Sequence, residues 1–105
     1  MHVQLVTFNL QGISEAELRA ASEAIAPQFA ALPGLHSKVW LAEPGSNTYG
    51  GIYTWQDRAV MQAYLDGELY AALRDNPAFD GLHSNDFGVL AAPTRITSPS
   101  LEAAA

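Results

Sequence analysis

Residues 36–56, HSKVWLAEPGSNTYGGIYTWQ, carry the clearest structural signal in the chain. Two stretches rich in β-branched and aromatic residues, 36–42 and 48–56, flank a run of turn-forming residues at 43–47. This arrangement is typical of a β-hairpin, because Pro, Gly, Ser and Asn favour the backbone angles that reverse the chain. We therefore predict two adjacent antiparallel strands here.

Further segments extend this hairpin on both sides. Residues 2–9 and 82–90 are rich in β-formers and predict a first and a fourth strand. A helix is predicted to start at Ser14, because the spacing from Ser14 to Glu17 matches a capping box. A second helix is predicted to start after Asp57, which is a favourable N-cap residue.

Proline and glycine modify these elements. Pro27 removes one backbone donor inside the first helix and predicts a kink or a restart near its position. Gly67 is predicted to divide the second helix, and Pro93 to begin a C-terminal tail. Residues 98–105 have no periodic pattern, so we expect a flexible tail after a single domain spanning residues 1–97.

The predicted order is β-α-β-β-α-β, the pattern of the ferredoxin-like α+β fold. Such a domain has a four-stranded antiparallel sheet with both helices on one face. The other face then carries Val, Leu, Phe and Trp side chains that need a cover. A second copy of the chain is the simplest cover. We therefore expect a homodimer in which two sheets face each other as a dimeric α/β barrel, with a monomer that has an alanine-rich surface as the alternative.

The composition argues against several classes of partner. The chain has 105 residues, enough for one domain, and a formal net charge of −6. Its five basic residues are scattered, so we expect neither nucleic-acid binding nor attraction to an anionic membrane. It has no apolar run of membrane-spanning length, no leader-like pattern at residues 1–12 and no cysteine. We expect a cytoplasmic location.

Aromatic residues with polar tips are concentrated around the hairpin. Strand alternation places His36, Lys38 and Trp40 on one face of the second strand. On the third strand, one face is shared by Tyr49, Gly51, Tyr53 and Trp55. Tyr64 and Tyr70 of the second helix are positioned to overhang the sheet. Such rings suit a pocket for a flat organic ligand, although core packing or a dimer interface explains any single ring equally well.

Other residues give weaker signals. His2, His36 and His83 share no helical or strand spacing, and the last two are predicted to begin strands that run in the same direction at opposite edges of the sheet. We therefore expect no metal site. His36 is a candidate general base, with an idle surface histidine as the alternative. Asp86 is unusual within a strand and is interpreted as an edge charge or a pocket acid. Gly50-Gly51 indicates a ligand, a β-bulge or a close backbone.

Several short motifs are similar to those of a known family. They are Leu32-Pro33-Gly34-Leu35, Lys38-Val39-Trp40, Gly50-Gly51-Ile52-Tyr53 and Ala63-Tyr64-Leu65. With these motifs the chain resembles the YdhR family, described as monooxygenases, over roughly residues 3–97. The KVW and GGIY pair is the distinctive part of this resemblance.

The resemblance implies a homodimer of ferredoxin-like protomers, with relatives that include cofactor-independent oxygenases of aromatic polyketides and haem-degrading enzymes. It implies that Trp40 and Tyr53 are catalytic and that Asn9, at the end of the first strand, binds substrate. From the expected pocket geometry we add His36 as a third catalytic residue. The same geometry adds three substrate-binding rings, Trp55, Tyr64 and Tyr70.

The leading functional hypothesis is therefore a cofactor-independent monooxygenase acting on a small aromatic or polyketide-like compound. No cofactor is expected, because a substrate carbanion can itself pass an electron to dioxygen. The alternative is a non-catalytic dimer that binds a small aromatic ligand. Haem degradation is disfavoured, because neither predicted helix contains a histidine that could ligate the iron.

Overall fold

The computed structural model describes residues 1–99, which form four strands and four α-helices. The strands are β1 (His2–Leu10), β2 (Leu35–Glu43), β3 (Thr48–Trp55) and β4 (Phe79–Gly88). The helices are α1 (Glu15–Ala30), α2 (Arg58–Leu65), α3 (Glu68–Asp75) and α4 (Ala91–Thr97). The strands form one antiparallel sheet in the order β2-β3-β1-β4, which confirms the predicted α+β, ferredoxin-like architecture.

The helices start where the sequence predicts. The Ser14 hydroxyl accepts a hydrogen bond from the Glu17 backbone, and the Glu17 carboxylate accepts one from the Ser14 backbone, which completes the capping box of α1. Asp57 Oδ1 accepts from Val60 N at 2.9 Å and caps α2. Gly67 separates α2 from α3, as expected.

Helix α1 does not restart at Pro27. It runs as a single helix to Ala30, so Pro27 lies in its last turn. The missing proline N–H leaves one helical carbonyl, that of Glu23, without its usual donor. Both residues are exposed, so water can satisfy this carbonyl and the helix continues.

The C-terminal boundaries differ from the prediction. Strand β4 starts at Phe79 and ends at Gly88, whereas the sequence predicts 82–90. Its early start is possible because Gly81, with φ of +63°, accommodates an irregularity in the register opposite the end of β1. Pro93 lies within α4 rather than at the start of a tail. Most of the predicted tail falls on residues 100–105, outside the described residues.

The predicted direction of the edge strands is wrong. β2 and β4 lie at opposite edges, as expected, but they run in opposite directions. β2 runs parallel to β1, and β4 runs parallel to β3, because a crossover connection joins the strands of each pair. The hairpin between β2 and β3 reverses the chain, so the two pairs are antiparallel to each other. His2 and His36 therefore lie at the same end of the sheet, on either side of β3. His83 pairs with Thr7 inside β4 rather than at its start. Within residues 1–99, no group of three or more His, Asp or Glu side chains could hold a metal ion.

The two faces of the sheet are covered differently. Helices α1, α2 and α3 pack on one face, here called the inner face, and the main core lies between them; its members are Val6, Phe29, Tyr53, Trp55, Met61, Tyr64 and Tyr70. The opposite face, here called the open face, exposes Val39, Ile52 and Phe87, of which Val39 is 55% and Phe87 58% exposed. Both tryptophans belong to the inner face, contrary to the prediction that the open face carries Trp. In the part of the chain that the structure describes, no helix has the length and apolar character needed to cross a membrane.

The two adjacent glycines of β3 are required for different reasons. A Cβ on Gly50 would lie 1.8 Å from the Val6 carbonyl oxygen, so β1 approaches too closely for any side chain. A Cβ on Gly51 would lie 3.0 Å from Cε of Lys38. Gly50 is therefore required by a neighbouring backbone, while Gly51 leaves space for a lysine side chain on the inner face.

Candidate active site

A cavity of about 230 Å³ lies between the inner face of the sheet and helices α1 and α3. Its walls are mainly apolar and aromatic, with contributions from Phe8, Ile25, Phe29, Trp40, Leu73 and Phe79. Among its lining residues, Lys38 and Tyr53 are the ones that titrate. The cavity therefore offers a ligand an apolar environment with very few ionisable groups.

Trp40 and Tyr53, the two residues implied by the family resemblance, both line this cavity. Tyr53 is almost fully buried, whereas Trp40 is 40% exposed and borders solvent. The Trp40 ring meets Phe29 edge-on, with centroids 5.3 Å apart. Trp40 also lines a second depression beside α1, where Glu15, Arg19 and Glu23 are present. It thus lies between the cavity and an acidic outer rim.

Trp55, Tyr64 and Tyr70 form a layer behind Tyr53 and do not line this cavity. The Tyr53 and Trp55 rings are parallel, with centroids 5.9 Å apart, and the hydroxyls of Tyr53 and Tyr64 lie 3.3 Å apart. Tyr64 meets Tyr70 edge-on at 5.4 Å. These three rings therefore support the cavity wall from the core. As substrate-binding residues they remain predictions.

The two hydrogen-bonded tyrosines stay protonated near neutral pH. Burial raises the pKa of Tyr53 to about 12, against a smaller lowering by the hydrogen bond from Tyr64. Burial also raises the pKa of Tyr64, further above its ordinary value. Both rings are therefore suited to donating hydrogen bonds rather than to accepting a proton as phenolates.

A row of polar contacts crosses the inner face away from the cavity. The indole N–H of the fully buried Trp55 donates to Gln4 Oε1 at 3.0 Å, and Gln4 Nε2 donates to Ser84 Oγ at 2.9 Å. Beside them, His2 Nε2 lies 2.6 Å from Asp86 Oδ2. These contacts give hydrogen-bond partners to polar groups that would otherwise be buried without one. Asp86 lies on the edge strand β4 and outside the cavity lining.

Asn9 and His36 lie apart from the cavity lining. Asn9 Nδ2 donates to the Asn47 carbonyl at 2.7 Å and ties the end of β1 to the hairpin turn. His36 lies at a register shift between Leu35 and Ser37, which breaks the alternation that predicts it beside Lys38 and Trp40. Its buried Nδ1 has no hydrogen-bond partner within residues 1–99. The site roles of both residues remain predictions.

Lys38 is the functional candidate that the sequence reasoning missed. Its Nζ lies 3.4 Å from the ring centroids of Phe29 and Trp40 and 4.7 Å from that of Tyr53. Burial lowers the pKa of Lys38 to about 7. A signal was available, because Lys38 is the sole lysine of the chain and alternates with Trp40 on the inward side of β2.

Fold and cavity together define a class: single-sheet α+β proteins that hold a small organic molecule between the sheet and its helices. The chain matches the family described as "Putative mono-oxygenase ydhR" over residues 3–100 and belongs to that family. The family resemblance of the KVW and GGIY motifs is thereby confirmed, and the chain falls among enzymes of the mono-oxygenase class. No protein with a curated function matches the chain in sequence.

Several solved structures are similar to this chain. A protein of unknown function from Nitrosomonas europaea, NE2512, is 26% identical with a TM-score of 0.71, over 87% of this chain and 90% of that one. SnoaB, a cofactor-independent oxygenase from Streptomyces nogalater, is 25% identical with a TM-score of 0.64, over 85% and 93%. The haem-degrader MhuD from Mycobacterium tuberculosis is 21% identical with a TM-score of 0.69, over 86% and 96%, and this likeness concerns the fold alone.

Proposed function

We propose that this protein is a cofactor-independent mono-oxygenase that acts on a small aromatic or polyketide-like compound. The observation that carries the proposal is the ring-lined cavity with a single basic amine on its wall. An apolar cavity of about 150 Å³ holds benzene, so a cavity of about 230 Å³ suits a compact ligand of one or two rings. Membership of a mono-oxygenase family and likeness to a cofactor-independent oxygenase support the same reaction class.

The proposed chemistry oxidises an activated CH₂ group to a carbonyl. A base removes one proton, either from the carbon or from the hydroxyl of the enol tautomer, and the resulting anion, which is the same in both cases, passes one electron to dioxygen. The resulting radical and superoxide combine in a C–O bond, which gives a peroxide that takes up the proton. Loss of water from this hydroperoxide leaves C=O, so that CH₂ and O₂ become C=O and H₂O. The substrate supplies all four electrons.

The cavity residues have separate roles in this reaction. Trp40 and Phe29, which meet edge-on, together form one aromatic wall against which the substrate packs. The protonated Tyr53 hydroxyl donates a hydrogen bond to the oxygen on which negative charge develops. Exclusion of water by the apolar walls strengthens this hydrogen bond. His36 stays a candidate for relaying the proton.

Oxygen uptake tests the proposal directly. A panel of anthrones, quinols and polyphenols is incubated with the purified protein, and oxygen consumption and carbonyl product are measured. We expect turnover in air without added flavin or iron, and none under argon. Trp40→Phe in the cavity should show about a tenfold loss, whereas Arg58→Gln, an exposed change outside the cavity lining, should keep near-normal rates. Turnover of the panel at equal rates without oxygen would contradict the proposal.

The two other functions give different outcomes in the same assay. A non-catalytic binding dimer would bind members of the panel without consuming them. A haem-degrading enzyme would show a Soret shift on haem addition, but no histidine lies among the described residues that line the cavity. The cavity would also have to widen considerably for a macrocycle.

We further propose that the open face is covered by the open face of a second copy. Val39, Ile52 and Phe87 project from three different strands, so the exposed apolar surface extends across the sheet rather than along one edge. A symmetric contact between two such faces buries apolar side chains from each copy. Sedimentation equilibrium at micromolar concentration should give twice the 11.2 kDa chain mass. A stable folded monomer would exclude this arrangement.

A further inference from the structure

Within the part of the chain that the structure describes, the Lys38 amine lies beside the cavity without a polar partner. Its side chain crosses the inner face over Gly51, and its amine ends between the rings of Phe29, Trp40 and Tyr53. None of the ion pairs within residues 1–99 includes Lys38, and its Nζ has no hydrogen-bond partner there. A lysine amine has three donors when charged, so an unpaired one beside an apolar cavity is costly for the protein alone.

The surroundings of the amine carry almost no other charge. α1 presents Leu18, Ala21, Ser22, Ile25 and Phe29 to the cavity, α3 presents Leu69, Ala72 and Leu73, and Asn76 follows directly after α3. From the sheet, the titratable side chain beside the amine is Tyr53, whose ring centroid lies 4.7 Å from Nζ. Because Tyr53 stays protonated near neutral pH, no fixed anion neutralises the ammonium from any of the walls that the structure describes.

Two opposing effects set the protonation of this amine. The three ring faces attract the ammonium form through their quadrupoles. Loss of water around the charge disfavours the same form, and this larger effect brings the pKa of Lys38 to about 7. Near neutral pH the amine therefore exists in both forms, which is the condition under which a general base is most effective.

We propose that Lys38 is the residue that removes the proton from the substrate, and that the cavity selects neutral weak acids of the phenol or enol class. This deepens the proposed oxygenase function and rests on it for the reaction that follows. The acid enters uncharged, its O–H proton passes to the lysine nitrogen, and an ammonium–phenolate pair remains. The pair has no net charge, so an apolar cavity accommodates it better than either ion alone.

The outer rim favours the same substrate class. Glu15, Arg19 and Glu23 line the depression that shares Leu18, Ser22 and Trp40 with the cavity; Arg19 pairs with Glu15 at 3.1 Å, so the rim keeps one net negative charge. Together with a net charge of −6, these carboxylates repel a permanent anion that approaches the mouth. A benzoate, already ionised at neutral pH, is therefore disfavoured relative to a phenol of the same size.

Nitrophenols test the proposal because the phenolate absorbs at longer wavelength than the neutral phenol. Wild-type protein at pH 6.5 should bind a nitrophenol and convert it to the phenolate, whereas the methyl ether of the same ring should bind without a spectral change. Lys38→Met should bind the phenol in its neutral form and about tenfold more weakly, as expected for the loss of a desolvated charge partner. Arg58→Gln, which removes an exposed positive charge outside the cavity lining, should behave as wild type.

A second readout follows the lysine itself. Because Lys38 is the sole lysine, labelling with ¹⁵N-lysine gives one ε-nitrogen resonance in the whole chain. Its titration should centre near pH 7 in the free protein and move upward when nitrophenol is bound. Neutral phenol bound by the wild type, or an ε-nitrogen that remains protonated at pH 9 without ligand, would overturn the proposal.

Different results would exclude the base role of Lys38 and the oxygenase function. Phenolate formation that depends on Lys38, without any oxygen uptake across the panel, supports the inference and removes the oxygenase function. Oxygen-dependent turnover that Lys38→Met leaves unchanged overturns the inference and keeps the oxygenase function. Lys38→Arg gives a further check, since a guanidinium is charged at all relevant pH values and cannot accept the proton; it should stabilise bound phenolate but lose turnover.

Discussion

The inner and open faces of one sheet have opposite characters, although the same strands form both. The inner face carries rings whose polar tips are paired, such as Trp55 with Gln4 and Tyr53 with Tyr64, around a single unpaired amine. The open face carries aliphatic and phenyl groups such as Ile52 and Phe87. Alternation along each strand therefore separates the surface proposed for chemistry from the surface proposed for assembly. Substitutions at neighbouring positions should then have effects of different kinds.

Alanine substitutions at the adjacent Gly50 and Gly51 should differ most in their effect on stability. Gly50→Ala should destabilise the fold by about 4 kcal/mol or more, because its methyl group would meet the Val6 carbonyl at 1.8 Å and the glycine has a positive φ. Chemical denaturation followed by circular dichroism measures this loss. The control is Gly51→Ala, whose methyl group would lie 3.0 Å from Lys38 Cε and 3.3 Å from the Tyr53 ring and the Val39 carbonyl oxygen; it should cost less stability than Gly50→Ala and should weaken ligand binding by displacing the lysine chain. Equal stability losses for both variants would contradict the assigned causes.

Ile52→Lys tests the open face as an assembly surface. A lysine at this position, which is 38% exposed in one copy, would have to lose water in a sheet-to-sheet contact. We expect dimerisation to weaken by about 3 kcal/mol, or on the order of 100-fold in Kd. Analytical ultracentrifugation measures the shift. Gln28→Lys, on an exposed position of α1, adds the same charge and should leave assembly unchanged; a dimer unaffected by Ile52→Lys would place the interface elsewhere.

Much of this fold was predictable because its signals are local. The hairpin follows from turn residues between two strand-like runs, and both predicted caps, Ser14 and Asp57, depend on contacts three residues away. The face shared by Tyr53 and Trp55 follows from the two-residue period of a strand. Alternation failed at His36, because a register shift between Leu35 and Ser37 breaks that period directly after the Pro33-Gly34 turn.

The site was harder to predict, because it depends on contacts between distant segments. The sequence places Lys38 and Trp40 on one face, but the burial of the amine comes from Phe29 of α1, and the way α1 packs on β2 is not a local property. A lysine on a strand usually extends its charge to water. Strand direction was mistaken for a related reason: it depends on how two crossover connections combine.

Lys38→Met tests the buried amine of the inner face through the pH dependence of stability. The folded pKa of about 7 lies below the ordinary value of 10.5, so the unfolded chain binds more protons between these two values. Wild-type stability should therefore rise as the pH increases from about 7 to 10.5, and the buried ammonium should cost most below pH 7. We expect Lys38→Met to be more stable than wild type by about 2 kcal/mol at pH 6, after allowance for partial exposure of the side chain, and equal to it above pH 10.5.

Urea denaturation at several pH values measures this difference. Carboxylates and tyrosines titrate in both proteins, so their contributions cancel in the comparison. Arg58→Gln should show a difference from wild type that does not vary with pH between 6 and 10, because an exposed guanidinium is charged in both states. A pH-independent gain for Lys38→Met would mean that the side chain acts through packing alone.

Tyr64→Phe should have the smallest effect on stability among these variants. It tests whether the rings behind the cavity wall take part in ligand binding. The variant removes a hydroxyl that pairs with the Tyr53 hydroxyl at 3.3 Å, and we expect a stability loss of about 1 kcal/mol. Tyr53 also loses a hydrogen bond that lowers its pKa, so its pKa should rise further, which ultraviolet titration measures. Tyr70→Phe, whose hydroxyl has no hydrogen-bond partner within residues 1–99, is the matched control: it should leave stability nearly unchanged and, because Tyr70 raises the pKa of Tyr53, it should lower that pKa rather than raise it. Because Tyr64 does not line the cavity, ligand affinity should change far less in Tyr64→Phe than in Lys38→Met; comparable losses would show that the supporting rings belong to the site itself.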